Sequence, residues 1–290
     1  MSKTLISILA GLGGMFGWGT SDFFANSAAD KLGHHRTLFW SQISGLLLII
    51  IFSLLFVSEI SISPILLALT IFSGIAYALG YLLFYYAFEI GNVSVVSAVI
   101  NFQNIFIIFI AFFLYGQRIT QFQALALPLI LLGITLVSID FKDLKRGTIS
   151  LLTGVKETLL AAVMFGIFFW PVNEYIVERS DWLPVNLITK FVAIITVAVI
   201  ASLKNKKLGI NQISTKLKIV VIVVGLLEAM GILSVSFGLS VGDSIIIAPI
   251  ASALTLVTVG LAMIFLKEKI SRTQAFGILM TVAGIVLMGF

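Results

Sequence analysis

The chain contains no cysteine. Disulfides, thiolate metal sites and a cysteine nucleophile are therefore excluded together. Charge is scarce as well: 11% of the 290 residues are Asp, Glu, Lys or Arg, against roughly 25% in an ordinary soluble domain. Histidine occurs only as His34 and His35, side by side in a short polar break, which is too little for a histidine metal centre. No GxxxxGK[ST] phosphate loop and no GxSxG nucleophile elbow occur, so ATP-driven work and acyl-enzyme chemistry lack their usual parts. Asp243, in SVGD, has no second buried Asp in a recognisable context. No catalytic residue, cofactor or metal ligand is expected.

What the chain does have is apolar length. Hydrophobic residues make up 60% of it, and a bilayer is crossed by about 20 mainly apolar residues. Ten such stretches follow one another, at about 4 to 29, 37 to 57, 65 to 88, 93 to 115, 121 to 139, 151 to 176, 184 to 203, 217 to 239, 244 to 266 and 272 to 290. The breaks between them leave no room for a soluble domain, so any function has to live in the helical bundle. The first stretch runs on past signal-peptide length without a clear cleavage signal and reads as an uncleaved span. The net charge of +5 does not point to nucleic acid, because the basic residues sit in short loops beside spans, where they set topology.

A shift of 151 residues lays the second half of the chain over the first. The pairs Gly74/Gly225, Gly80/Gly231, Gly91/Gly242, Gln123/Gln274 and Gly133/Gly284 coincide. A shift of 149 lays Met15-Phe16-Gly17 on Met164-Phe165-Gly166, so the unit includes the first span of each half. The expected organisation is a first five-helix repeat over 1–140, a linker loop over 141–150 and a second five-helix repeat over 151–290. Because five is odd, the second copy enters the membrane from the opposite side. An inverted repeat of this kind is the usual frame of an alternating-access transporter. Charge agrees with inversion: the loops after spans 2 and 4 hold only Arg118, whereas their counterparts hold Lys204, Lys206, Lys207, Lys216, Lys218, Lys267, Lys269 and Arg272. Most Lys and Arg lie in loops after odd-numbered spans, which places those loops in the cytoplasm and both termini outside.

The Trp18-Gly19 step in span 1, together with the hinges YGQRITQFQALALPLILLGI and LKEKISRTQAFGILMTVAGI, resembles the drug/metabolite transporter superfamily in its EamA-like branch. The resemblance covers essentially the whole chain. It implies an all-α membrane protein whose ten helices surround a central cavity lined by spans 1, 3, 4, 6, 8 and 9, and a role in moving small organic metabolites. It does not imply which one. Glu268 and Lys269 match the acidic-basic step of the family's second hinge, while Gln117 departs from it in the first.

Ionisable residues inside spans are costly and mark function by default. Glu228 lies deepest, as a proton-coupling carboxylate, as a counter-charge for a cationic group on the solute, or as half of a buried pair. Lys190 lies about 6 residues from Pro184, hence roughly 9 Å in, and either snorkels to the interface or pairs with Glu228. Asp22, in GWGTSDFF, sits about two turns from the end of its span, at about 10 Å depth. These three are the candidate ion-coupling residues.

Candidate solute contacts are Trp18, the Tyr77 and Tyr81 stripe continued by Tyr85, the polar face Ser97, Asn101 and Asn104 of span 4, its repeat counterpart Ser252 and Thr255 in span 9, and Trp170. Uncharged polar groups of this sort either line a cavity or join helices. Pro171 and Pro249 are candidate hinges, since proline removes a backbone donor. Asn173 follows Pro171, with Glu174 near the headgroups. Gly13 and Gly17 form a small-xxx-small pair suited to close packing. Secondary transport in the cell membrane by a monomer or weak homodimer, with a small-molecule substrate and the lipid bilayer as partners, is the leading expectation. A non-transporting receptor or assembly factor is the alternative, and an intramembrane enzyme ranks below both.

Overall fold

Hydrocarbon offers no partner to a backbone N–H or C=O, so an apolar chain has to close its hydrogen bonds within each segment, as the α-helix does. The structure, a computed structural model, describes residues 2–57, 61–91, 96, 99–138, 153–210, 213–267 and 271–290. Among the described residues every regular element is helical.

The helices are α1 Lys3–Leu32, α2 His34–Phe56, α3 Pro64–Ile90, α4 Gln103–Phe113 after a single 3-10 turn at Ile100–Phe102, and α5 Gln121–Ser138. They continue as α6 Val155–Val177, α7 Trp182–Leu203, α8 Thr215–Val241, α9 Ser244–Phe265 and α10 Arg272–Leu287. Six of them, α2, α3, α6, α7, α8 and α9, are long and apolar enough to cross a membrane, and α4, α5 and α10 are shorter apolar helices. Large apolar side chains such as Leu54, Leu55, Ile65, Leu114 and Leu203 stand exposed on the outside, as suits a lipid-facing belt. The chain is a multi-pass membrane protein.

Local chemistry sets the boundaries. Ser2, Ser63, Ser214 and Ser271 each accept a hydrogen bond from a backbone N–H of the first turn they cap, which satisfies donors the helix cannot. Between α1 and α2 the chain reverses at Gly33, whose φ of 79° lies in the left-handed region that favours glycine. That one-residue turn corrects one expectation: His34 and His35 are the first residues of α2 rather than part of a loop.

The two halves pack on each other in matched pairs. α1 runs along α8 as α6 runs along α3, and α2 lies against α8 as α7 lies against α3. The α5–α10 pair is reciprocal. Gln123, at the start of α5, donates through Nε2 to the Met288 carbonyl (3.3 Å), while Gln274, at the start of α10, donates to the Val137 carbonyl (3.2 Å). These contacts join the beginning of each helix to the end of the other, so the pair is antiparallel. Each glutamine also closes an identical cap, Gln123 with Thr120 and Gln274 with Ser271.

Two shared glycines have a direct cause. A Cβ at Gly80 would lie 2.7 Å from Phe165 Cε1, and one at Gly231 would lie 2.8 Å from Trp18 Cδ1. In each half the glycine admits an aromatic ring from the first helix of the other.

Candidate functional site

Trp18 of α1 and Trp170 of α6 meet edge to face, with ring centroids 6.1 Å apart. The close approach of α1 to α8 positions Trp18. Trp170 follows a π-helical turn over Met164–Phe169 and precedes Pro171, which begins the last stretch of α6. Beside this pair lies a cavity with an empty volume of ≈ 960 Å³, part of which is continuous with the exterior. Its walls come from both halves: α1, α3 and α4 from the first, α6 and α9 from the second. Tyr81 packs edge-on against Phe165 with centroids 5.1 Å apart, and Tyr77 lies 4.9 Å from Phe169, so aromatic rings make one continuous wall.

Asp22 lines this cavity. It also borders a smaller void with Ala25, Asn26, Ala29, Tyr85 and Phe88, nearer the C-terminal ends of α1 and α3. No hydrogen bond or ion pair holds its carboxylate among the described residues. Among the described residues no Lys, Arg or His lines the cavity, and Asp22 is its one formally charged wall residue.

Glu228 and Lys190 are placed quite differently. Lys190 is fully buried, at 0% exposure, and its ammonium pairs with the Glu228 carboxylate. The ammonium also donates to Gln42 Oε1 (2.8 Å) and to the Tyr77 hydroxyl (3.0 Å), while that hydroxyl donates to the other Glu228 oxygen. Three donors thus meet three acceptors, as a buried ammonium requires. Snorkelling of Lys190 is ruled out by this geometry, because α2, α3 and α8 enclose its whole side chain.

The remaining sequence candidates divide. Tyr77, Tyr81, Asn101, Thr255, Trp18 and Trp170 line the cavity. Asn104 and Ser252 instead bond each other across the halves, Ser252 Oγ donating to Asn104 Oδ1 at 3.0 Å, and do not line it. Ser97, Glu268 and Lys269 lie outside the described residues. Pro249 is buried within α9, which is interrupted four residues later at Ala253. Asn173 is buried and donates to Ser236. Gly13 and Gly17 face α8, at Ser234 and Gly231.

Glu174 departs from its expected place near the headgroups. It is 1% exposed and accepts from Gln117 Nε2 at 2.7 Å. The same Gln117 accepts through Oε1 from the backbone N–H of Ile245 (3.0 Å) and from Ser244 Oγ (3.4 Å). Tyr115 donates to the Pro171 carbonyl (2.8 Å), and Lys3 pairs with Asp243 (2.7 Å). These bonds tie the end of α4, the end of α6 and the starts of α1 and α9 together, at the end of the bundle away from Asn26 and Phe88. In the sequence Gln117 stands out only as a departure from a pattern. Gln42, Asn26, Gln103 and Thr258 are not singled out there; of these, Gln42, an uncharged amide deep in an apolar helix, carries a readable signal.

Comparisons with known proteins agree with this architecture. The EamA-like transporter family matches the chain twice, over residues 5–139 and 152–290. An uncharacterized protein of Methanocaldococcus jannaschii is 30% identical over 141 residues, which is 47% of this chain and 96% of that protein. A crystal structure 14% identical in sequence superposes with a TM-score of 0.80, covering 99% of this chain and 98% of the other. At that identity the likeness speaks to the fold alone.

Proposed function

The chain belongs to the EamA-like transporter family, and from that premise we propose that it carries a small organic solute across the cell membrane by alternating access, without ATP, through the cavity beside Trp18 and Trp170. Members of this family are transporters rather than enzymes, and a small-molecule substrate in a lipid setting follows from membership.

The observation that carries it is a cavity walled by both halves and, among the described residues, tied across α1, α4, α6 and α9 at the end near the N-terminus. The bonds of Gln117, Tyr115 and Lys3 close the end near the N-terminus, whereas the cavity and its neighbouring void extend along α1 toward Ala29. Ten spans in an inverted repeat are supported by the antiparallel, reciprocal α5–α10 contacts. With the basic loops in the cytoplasm, the extending end faces inward. Asp22 is the carboxylate we assign to coupling with a proton or another ion. Glu228 is held by Lys190, which makes that pair a structural post.

Purified protein in liposomes tests this. Counterflow of a labelled solute is expected for at least one member of a panel of amino acids, nucleosides, sugars and organic cations, and Asp22→Asn should remove gradient-driven flux. Saturable binding without flux across the panel would refute transport.

A further inference from the structure

Charge bookkeeping around the cavity narrows the solute. Among the described residues three charged side chains lie deep in this part of the bundle: Asp22, Lys190 and Glu228. Lys190 and Glu228 neutralise each other and also use Gln42 and Tyr77 as partners. Among the described residues, Asp22 is left facing the cavity with no hydrogen-bonded or ion-paired partner, in a wall that holds no cation. An ionised carboxylate in such a site is costly unless a proton or a counter-charge joins it, and a cationic solute that competes with the proton supplies that counter-charge.

The surrounding walls suit one kind of counter-charge. Trp18, Tyr81, Phe88, Phe165 and Trp170 line the same cavity, and aromatic faces attract cations through their quadrupoles. Asn26, Gln103 and Thr255 add amide and hydroxyl oxygens, which accept from an N–H. An organic anion would meet Asp22 with like charge. A zwitterion would bring a carboxylate for which the lining offers neither Lys nor Arg among the described residues.

We propose that the solute is an organic cation without a compensating carboxylate, its charged head set against Asp22 and its apolar body lying among the aromatic rings. This rests on the transport reading of the same cavity and adds the chemical class to it.

Two ions of matched shape and opposite charge test the class. Tetraphenylphosphonium and tetraphenylborate are titrated into detergent-solubilised protein, with tryptophan fluorescence as the signal, since Trp18 and Trp170 both line the cavity. Saturable quenching by the phosphonium and none by the borate is expected. In Asp22→Asn the phosphonium should bind on the order of thirtyfold more weakly, the loss that follows removal of one partner of a desolvated charge pair, and Asp22→Glu should recover most of it. Equal binding of both ions, no binding of the phosphonium by the native protein, or undiminished binding to a folded Asp22→Asn would overturn the proposal. The native comparison stands even if Asp22→Asn fails to fold. A chain that shows counterflow of a neutral or anionic solute while ignoring the phosphonium remains a transporter with a different class of substrate. A chain that binds the phosphonium without moving any solute keeps the cation site and loses the transport reading.

Discussion

Replacing Lys190 by Met should be far more damaging than the loss of one side-chain contact. Methionine fills a similar space without the charge. Glu228 would then remain at 2% exposure with only the Tyr77 hydroxyl as donor, and Gln42 Oε1 would lose the Lys190 ammonium. Stranding one ion of a buried pair costs about 3–5 kcal/mol. Glu228→Gln alone strands the ammonium and should cost a similar amount. The double variant strands neither, leaving mainly imperfect hydrogen bonds at Tyr77 and Gln42, worth about 1–3 kcal/mol. The two single losses together thus exceed the double loss by at least about 3 kcal/mol, a coupling that a double-mutant cycle isolates. Reversible unfolding in mixed detergent–SDS micelles measures all four proteins. Single losses below about 1 kcal/mol, the range of a solvated surface pair, or a double loss equal to the sum of the singles, would refute the closed network.

Further outcomes follow from other contacts. Gly80→Ala and Gly231→Ala should each destabilise by about 1–3 kcal/mol through overpacking, with recovery when the facing ring is trimmed by Phe165→Leu or Trp18→Leu respectively; thermal unfolding reads both, and a tolerated alanine would contradict the ring-on-glycine contact. Because the chain has no cysteine, Ser244→Cys makes a single reporter at the tied end. Adding Gln117→Leu, which removes the bonds to Glu174 and Ile245, should speed its labelling by a membrane-impermeant maleimide by about tenfold, the equivalent of roughly 1.4 kcal/mol; an unchanged rate would deny Gln117 that tie. Gln123→Ala and Gln274→Ala should cost equal amounts, about 1 kcal/mol each, and a marked inequality in unfolding free energy would argue against their reciprocity.

Much of the architecture is legible in the sequence, because apolar length and glycine spacing are one-dimensional signals. Gly80/Gly231 and Gln123/Gln274 marked the duplication, and each pair proves to serve the same contact in both halves. The site was legible in part. Asp22, Trp18, Tyr81 and Trp170 stood out by residue type, and all four line the cavity. What sequence spacing could not supply was which polar group meets which across helices. Asn104 and Ser252 lie on faces that suit lining equally well, and only the approach of α4 to α9 turns them toward each other. Lys190 looked shallow when counted from the end of its helix, but depth along an axis says nothing about enclosure from the sides. Gln117 stands out in the sequence only as an uncharged residue in an acidic place, which gives no hint that one amide, with a donor and an acceptor at the same end, serves two helices at once.

Tyr77 and Glu228 stand 151 positions apart, the spacing that separates equivalent positions in the two halves. In the inverted repeat proposed above, points that the twofold operation exchanges touch only beside its axis. The charged post would therefore stand at the fulcrum of a rocking of one half against the other, where the lever arm is shortest and displacement least. Gln117 and Lys3, far from that fulcrum, lie where a few degrees of tilt become ångströms of travel. Under the proposed access cycle, a strong, fully satisfied cluster at the pivot and several weaker bonds at the rim would let the ends open without unmaking the centre.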